Sequence, residues 1–132
     1  MAKAKVGEIT KEIGAVIEPH EALAVDVLAL NGFDVRFLKP RNMYKTKTPD
    51  IAMVGLEWEI KSPTSSSKTT IRNIMLKGTK QSRYVIIDTI RTNLPDELII
   101  RDLEKYATQH QSLKKLIMIT KYRKIVVLKG KL

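Results

Sequence analysis

Apolar and polar positions change period repeatedly along the chain, and each change marks an element. In "EPHEALAVDVLALNG" the apolar residues recur at helical spacing. Pro19 suits the first turn of that helix, Glu18 and Glu21 suit its positive end, and Asn31-Gly32 is a stop. "FDVRFL" alternates apolar and charged residues, the pattern of a half-buried strand. "DIAMV" and "LEWEIKS" repeat that pattern on either side of Gly55, a hairpin signal. "SSSKTTIRNIMLKGTKQ" begins with serines suited to capping and sets Ile71, Ile74 and Met75 on one helical face. "YVIID" is a short, nearly continuous apolar strand of the kind buried on both faces. Asn93 and Pro95 introduce the helix "DELIIRDLEKYATQH", and "KLIMIT" and "KIVVLK" close the chain as strands around "KYR". Residues 1–17 read as a lead-in, either a short helix or a loosely held segment.

The predicted order is α-β-β-β-α-β with an additional helix and β-hairpin at the end. That is an α/β or α+β arrangement, one mixed sheet flanked by helices. The expected organisation is a single domain over residues 1–132, with a core over about 18–88 and the added helix and hairpin over 93–129.

Alternation in the hairpin separates two faces. Leu56, Trp58 and Ile60 share one, with Ile51 and Met53 from the preceding strand. Glu57, Glu59 and Lys61 share the other, with Asp50 and Ala52. A turn at Val54-Gly55 pairs Asp50 with Glu59, whereas a turn at Gly55-Leu56 pairs Asp50 with Lys61. Both keep the apolar sets together, and a one-residue slip mixes them. Asp50, Glu59 and Lys61 therefore converge in either register.

Charge narrows the partners. Against 14 Asp and Glu the chain carries 24 Lys and Arg, a net charge of +10. Such an excess attracts polyanions, and nucleic acid leads an anionic membrane because no long basic amphipathic helix is present. An acidic protein is compatible with the same charge. With no cysteine, disulfides and thiolate metal sites are excluded. No apolar run approaches the roughly 20 residues that span a bilayer. The charged N-terminus is not followed by an apolar leader segment. A soluble protein acting inside a cell is expected.

Two carboxylates at neighbouring strand positions can hold a hard divalent cation, Mg²⁺ or Mn²⁺, through oxygen, with the Ile60 carbonyl as a further ligand. Lys61 beside them can orient water or stabilise negative charge at a phosphate. The same spacing also suits a solvated strand face with a cross-strand charge pair. "TPDIAMVGLEWEIKSP" resembles the PD-(D/E)XK nuclease superfamily, as does the α-β-β-β-α-β order around it, over residues 18–88. That resemblance implies a restriction-endonuclease-like core, Asp50 and Glu59 as metal ligands and Lys61 as the catalytic lysine. It also points to a helix acid, Glu21 ahead of Glu18. Gln81 and Tyr84 resemble its Q-x-x-x-Y element with one residue fewer between them. Glu57 lies outside the motif.

Over residues 31–128 the chain also resembles the C-terminal toxin domains of contact-dependent growth inhibition proteins, most specifically in "WEIKSP" and "QS…VIID". This implies an RNase acting on tRNA in the cytoplasm, delivered as a toxin domain and held by a cognate immunity protein. Some such toxins resemble the metal-independent barnase/EndoU/colicin/RelE group, for which Lys61, Ser65 or Thr70, and Arg91 are the polar candidates. A DNA endonuclease and a non-catalytic basic binding module are further alternatives. Lys39, Arg41, Lys45, Lys47, Lys68, Arg72, Lys80, Arg83 and Arg91 are candidate phosphate contacts, and Tyr44 a base-stacking one. His20 reads as an exposed helix-start residue.

Overall fold

Strands β1 (Ile9–Lys11), β2 (Val35–Phe37), β3 (Ile51–Met53), β4 (Leu56–Lys61), β5 (Tyr84–Asp88), β6 (Lys115–Ile119) and β7 (Ile125–Lys129) lie in one sheet in chain order. This is seen in a computed structural model that describes residues 5–41 and 47–132. The pairs β1–β2, β4–β5 and β5–β6 are parallel, and the other three pairs are antiparallel. Each parallel connection carries a helix: α1 (Pro19–Leu30), α2 (Thr70–Gln81) and α3 (Asp96–Gln109). Among the described residues no helix is long and apolar enough to cross a membrane.

Strand alternation divides the core in two. Ala24, Val25 and Leu28 of α1 pack with Val35, Phe37, Ile51, Met53, Trp58, Ile60, Ile86 and Ile117. Ile71 and Met75 of α2 and Ile99 and Leu103 of α3 pack with Val85, Ile87, Leu116 and Met118. The central strands β5 and β6 thus feed apolar side chains to both clusters, which explains why "YVIID" and "LIMI" show no polar alternation. Trp58 is fully buried, and its Nε1–H donates to the Met53 carbonyl at 3.0 Å.

The lead-in is a strand and not a helix. Its β1 pairs parallel with β2, covering a sheet edge that would otherwise leave backbone groups unpaired. Just before it the chain runs tightly over the end of α1, where the Gly7 N–H donates to the Ala29 carbonyl at 2.7 Å. A Cβ at Gly7 would stand 1.9 Å from the Phe33 carbonyl oxygen, so only glycine fits. The serine run also differs from expectation. Thr69 begins α2 without a side-chain cap, while Ser65 Oγ accepts the Ser67 N–H and Ser67 Oγ meets Thr70 Oγ1 at 3.0 Å. These hydroxyls shape the loop that follows β4.

The β3–β4 turn is Val54-Gly55, with Met53 opposite Leu56 and Ile51 opposite Trp58. Both turn residues have positive φ, 49° and 75°, as a two-residue turn matching strand twist requires. Of the two registers open to the sequence, this one carries Asp50 to Glu59.

Candidate active site

The ends of β4 and β5, the start of β3 and the first turn of α1 meet at one edge of the sheet. The Asp50 N–H donates to the Trp58 carbonyl at 2.9 Å, continuing the hairpin ladder one residue beyond β3. Its Oδ2 accepts the Ile60 N–H at 2.8 Å, which fixes the carboxylate against β4. Glu21 enters from α1, whose Glu18-Pro19 start leaves the Glu18 N–H free to donate to Glu21 Oε1 at 3.1 Å. Glu59 is 1% exposed. Its Oε2 pairs with Lys61 Nζ at 3.0 Å, while its Oε1 is buried without a hydrogen-bond partner.

Crowding changes the protonation of the two glutamates. Burial pushes the Glu59 carboxyl up to about 7, the charge of Asp50 adds to the rise, and Lys61 opposes it. Glu21 is likewise raised to about 7, by burial first and then by Asp50. Asp50 is thus the charge that both buried glutamates feel. Among the described residues no three acidic or imidazole side chains form a closed metal cluster. What the site does contain is a buried carboxylate with an unsatisfied oxygen, a second raised acid, and Asp50 between their fields. A divalent cation held by Asp50 and Glu59 alone would satisfy Glu59 Oε1 and offset the repulsion.

Glu21 and Asp50 open onto a cleft of about 240 Å³ shared with Glu18, Lys47 and Pro49. Lys61 faces a separate cavity with Ser62, Thr70, Asn73 and Lys77. Arg91 clamps the segment after Lys61, Nε donating to Ser62 Oγ at 3.1 Å and Nη2 to the Ser62 carbonyl at 2.6 Å. Gln81 opens onto a cavity with Arg41 and Glu57 that shares Lys47 and Pro49 with the carboxylate cleft, and its Oε1 is buried and unpartnered. Tyr84 packs its ring 5.8 Å from that of Trp58. Ile60 has its side chain in the α1-facing core, leaving only its backbone for a ligand role.

The cations are distributed less simply. Lys47 lies on the carboxylate cleft, and Arg91 borders Ser62. Arg41 is committed to Glu57 through two bonds of 3.0 and 2.6 Å. Lys39 is exposed. Lys68 and Arg72 turn to the other side of α2, into a groove with Tyr106 and His110 of the α3 end. Lys80 lies in the last turn of α2, and exposed Arg83 precedes β5, so both lie near the opposite end of that strand from Asp88. Tyr44 and Lys45 lie outside the described residues.

Two features of this edge were not expected from the sequence. His20 is partly buried and not freely exposed, and its pKa is lowered by burial and then by Arg91, against Glu18, Asp50 and Asp88. Its position beside Glu21 in the first turn of α1 was the available signal. Asp88, fully buried at the end of β5, receives a bidentate bond from Arg123 at 2.7 and 3.0 Å. Nothing local in "VIID" or "KYRK" links those residues.

Residues 47–125 match the sequence pattern of the contact-dependent growth inhibition CdiA C-terminal domain. That span contains Asp50, Glu59, Lys61, Arg91 and Arg123 but not Glu21. No curated protein matches the chain. A solved structure described as the CdiA-CT/CdiI toxin and immunity complex from Burkholderia pseudomallei contains a chain similar in fold. The TM-score is 0.70 at 19% identity, over 94% of this chain and 100% of that one.

Proposed function

The chain belongs to the contact-dependent growth inhibition CdiA C-terminal domain family, and from that premise we propose that it is a nuclease toxin domain of the PD-(D/E)XK type. Its substrate is RNA, tRNA ahead of DNA, a choice that rests on the resemblance to growth-inhibition toxin domains. Asp50, Glu59 and the Ile60 carbonyl would hold Mg²⁺ or Mn²⁺, with Glu21 assisting. The observation that carries this reading is Glu59: a buried carboxylate with one oxygen unsatisfied, its pKa raised to about 7 beside Asp50. When bound, the cation would polarise the scissile phosphate and lower the pKa of attacking water.

The chain's own residues supply the rest. Lys61, held 3.0 Å from Glu59 Oε2, brings positive charge to the phosphate as negative charge develops. Arg91 holds Ser62 and so fixes the end of the strand that carries Lys61. Lys47 offers a phosphate contact at the cleft mouth. Steering of the polyanion follows from the net charge of +10. The same charge suits an acidic cognate immunity protein as partner, and the matched toxin and immunity complex supports that pairing. The site of action is then the cytoplasm of a cell into which the domain has been delivered.

A metal-independent RNase is the second reading, favoured by the lack of a closed cluster of three acidic or imidazole side chains among the described residues. In it Lys61 and Arg91 would stabilise the phosphorane charge, whereas Ser65 and Thr70 already have partners in the loop. Incubation of the purified chain with total RNA and with plasmid DNA, each with Mg²⁺ and with EDTA, separates the readings. Mg²⁺-dependent RNA cleavage lost in Glu59→Gln and Lys61→Ala is expected. EDTA-resistant cleavage overturns the metal site, and DNA cleavage alone overturns the RNA assignment. Salt-sensitive binding with no cleavage of either polymer indicates a non-catalytic binding module.

A further inference from the structure

The β6–β7 turn displays an aromatic ring that nothing in the fold requires. Tyr122 is 86% exposed, and among the described residues its hydroxyl has no hydrogen-bond partner. Its neighbours on both sides are clamped. The Lys121 N–H donates to Asp96 Oδ2 at 3.1 Å, and its Nζ stands 3.3 Å from Asp96 Oδ1. Arg123 takes a left-handed backbone conformation, φ 62°, that L residues rarely adopt. Its guanidinium is held by buried Asp88 through two bonds and donates to the Leu23 carbonyl at 3.3 Å. The turn closes on itself through Thr120 N–H to the Lys124 carbonyl at 2.9 Å and Lys124 N–H to Thr120 Oγ1 at 3.0 Å.

The turn stands at the catalytic edge. Strands β4, β5 and β6 are mutually parallel, so Lys61, Asp88 and Ile119 end at the same side of the sheet. Two inter-strand steps separate β4 from β6, about 10 Å. The bond from Arg123 to Leu23 reaches α1 two residues beyond Glu21. In open α/β sheets ligands lie outside these carboxyl ends.

We propose that Tyr122 is a stacking platform for an unpaired nucleobase flanking the scissile phosphate. This deepens the nucleic-acid reading above and rests on it. With the backbone on both sides held, only the two side-chain torsions of Tyr122 are left to order on binding, which keeps the cost of using an exposed aromatic as a contact low. Lys124 on the same turn supplies positive charge for the adjoining phosphate. A base already stacked in a duplex cannot lie on the ring, so the platform selects single-stranded or looped segments.

The test is a binding titration of the full chain in the Glu59→Gln background, read by fluorescence anisotropy. The probes are a single-stranded oligoribonucleotide, the deoxy oligonucleotide of the same sequence, and an RNA duplex. Tyr122→Ala should weaken single-strand binding about 5- to 100-fold, Tyr122→Phe should stay near the unsubstituted affinity, and duplex binding should be unchanged. Loss on both single strands assigns the platform to the base face, and loss on RNA alone adds a ribose contact. Single-strand binding by Tyr122→Ala equal to that of the unsubstituted chain overturns the proposal, as does equal weakening on single strand and duplex. Failure of the nuclease reading is distinct: the wild-type chain would then cleave nothing, while this titration still reports on Tyr122.

Discussion

Glu59→Gln should make the fold more stable above neutral pH while abolishing cleavage. Glu59 ionises at about 7 when folded against 4.5 for the free side chain. Between those values the folded chain keeps a proton that the unfolded chain has released, so stability falls as pH rises through the window. The penalty is complete above the folded value and absent below the unfolded one. With about 1.4 kcal/mol for each unit, Glu59 costs roughly 3 kcal/mol at about pH 8 and under about 1 kcal/mol at about pH 5. Because Glu59 is almost fully buried, little of this is lost to solvent screening, although part is shared with Glu21 through Asp50. Gln has nearly the same shape and cannot ionise, so the gain from Glu59→Gln should grow by about 2 kcal/mol between about pH 5 and pH 8. Urea unfolding of both proteins in EDTA at the two pH values measures this directly. Added Mg²⁺ should stabilise the wild-type chain at high pH and leave the variant unmoved. An equal effect of the substitution at both pH values would refute the raised acid. Full cleavage by the variant would remove Glu59 from the site.

Arg123→Ala should cost about 3–5 kcal/mol of stability, because it strands the buried Asp88 carboxylate, whereas Arg123→Ala with Asp88→Asn should recover part of that loss in urea titrations. Val54→Asn should raise unfolding stability by about 1 kcal/mol without changing cleavage, since a β-branched residue at φ 49° is strained where Asn before Gly is not. Gly78→Ala should be stabilising by about 0.5–1 kcal/mol, because a Cβ there meets Val85 and Lys61 at ordinary contact distances of 3.5 and 3.6 Å within a helix. Thermal unfolding checks the last two, and a loss of cleavage in Gly78→Ala would mean that Lys61 tolerates no neighbour there.

Much of the fold was readable because helices and strands write their period into adjacent residues. The three helices and the two hairpins fall where periodicity and stop signals put them. The short first strand was not readable, because Ile9–Lys11 forms by covering the edge of β2 and has no strong strand pattern of its own. Val54 in the hairpin turn is another such case. Its side chain disfavours a positive φ, yet pairing Met53 with Leu56 in the core settles the register.

Alternation by itself brought Asp50, Glu59 and Lys61 to one face, since that depends only on spacing within a single hairpin. The tertiary structure decided which charges accompany them. Glu21 and His20 reach the cluster because α1 begins at the edge where β4 ends. Arg123 reaches Asp88 across 35 residues because β6 lies beside β5. Lys68 and Arg72 are turned from the site by the face α2 presents to α3, and Arg41 is taken by Glu57. Sequence period encodes which side chains share a face; which faces meet depends on strand order and helix docking, and those are fixed only by contacts between distant segments.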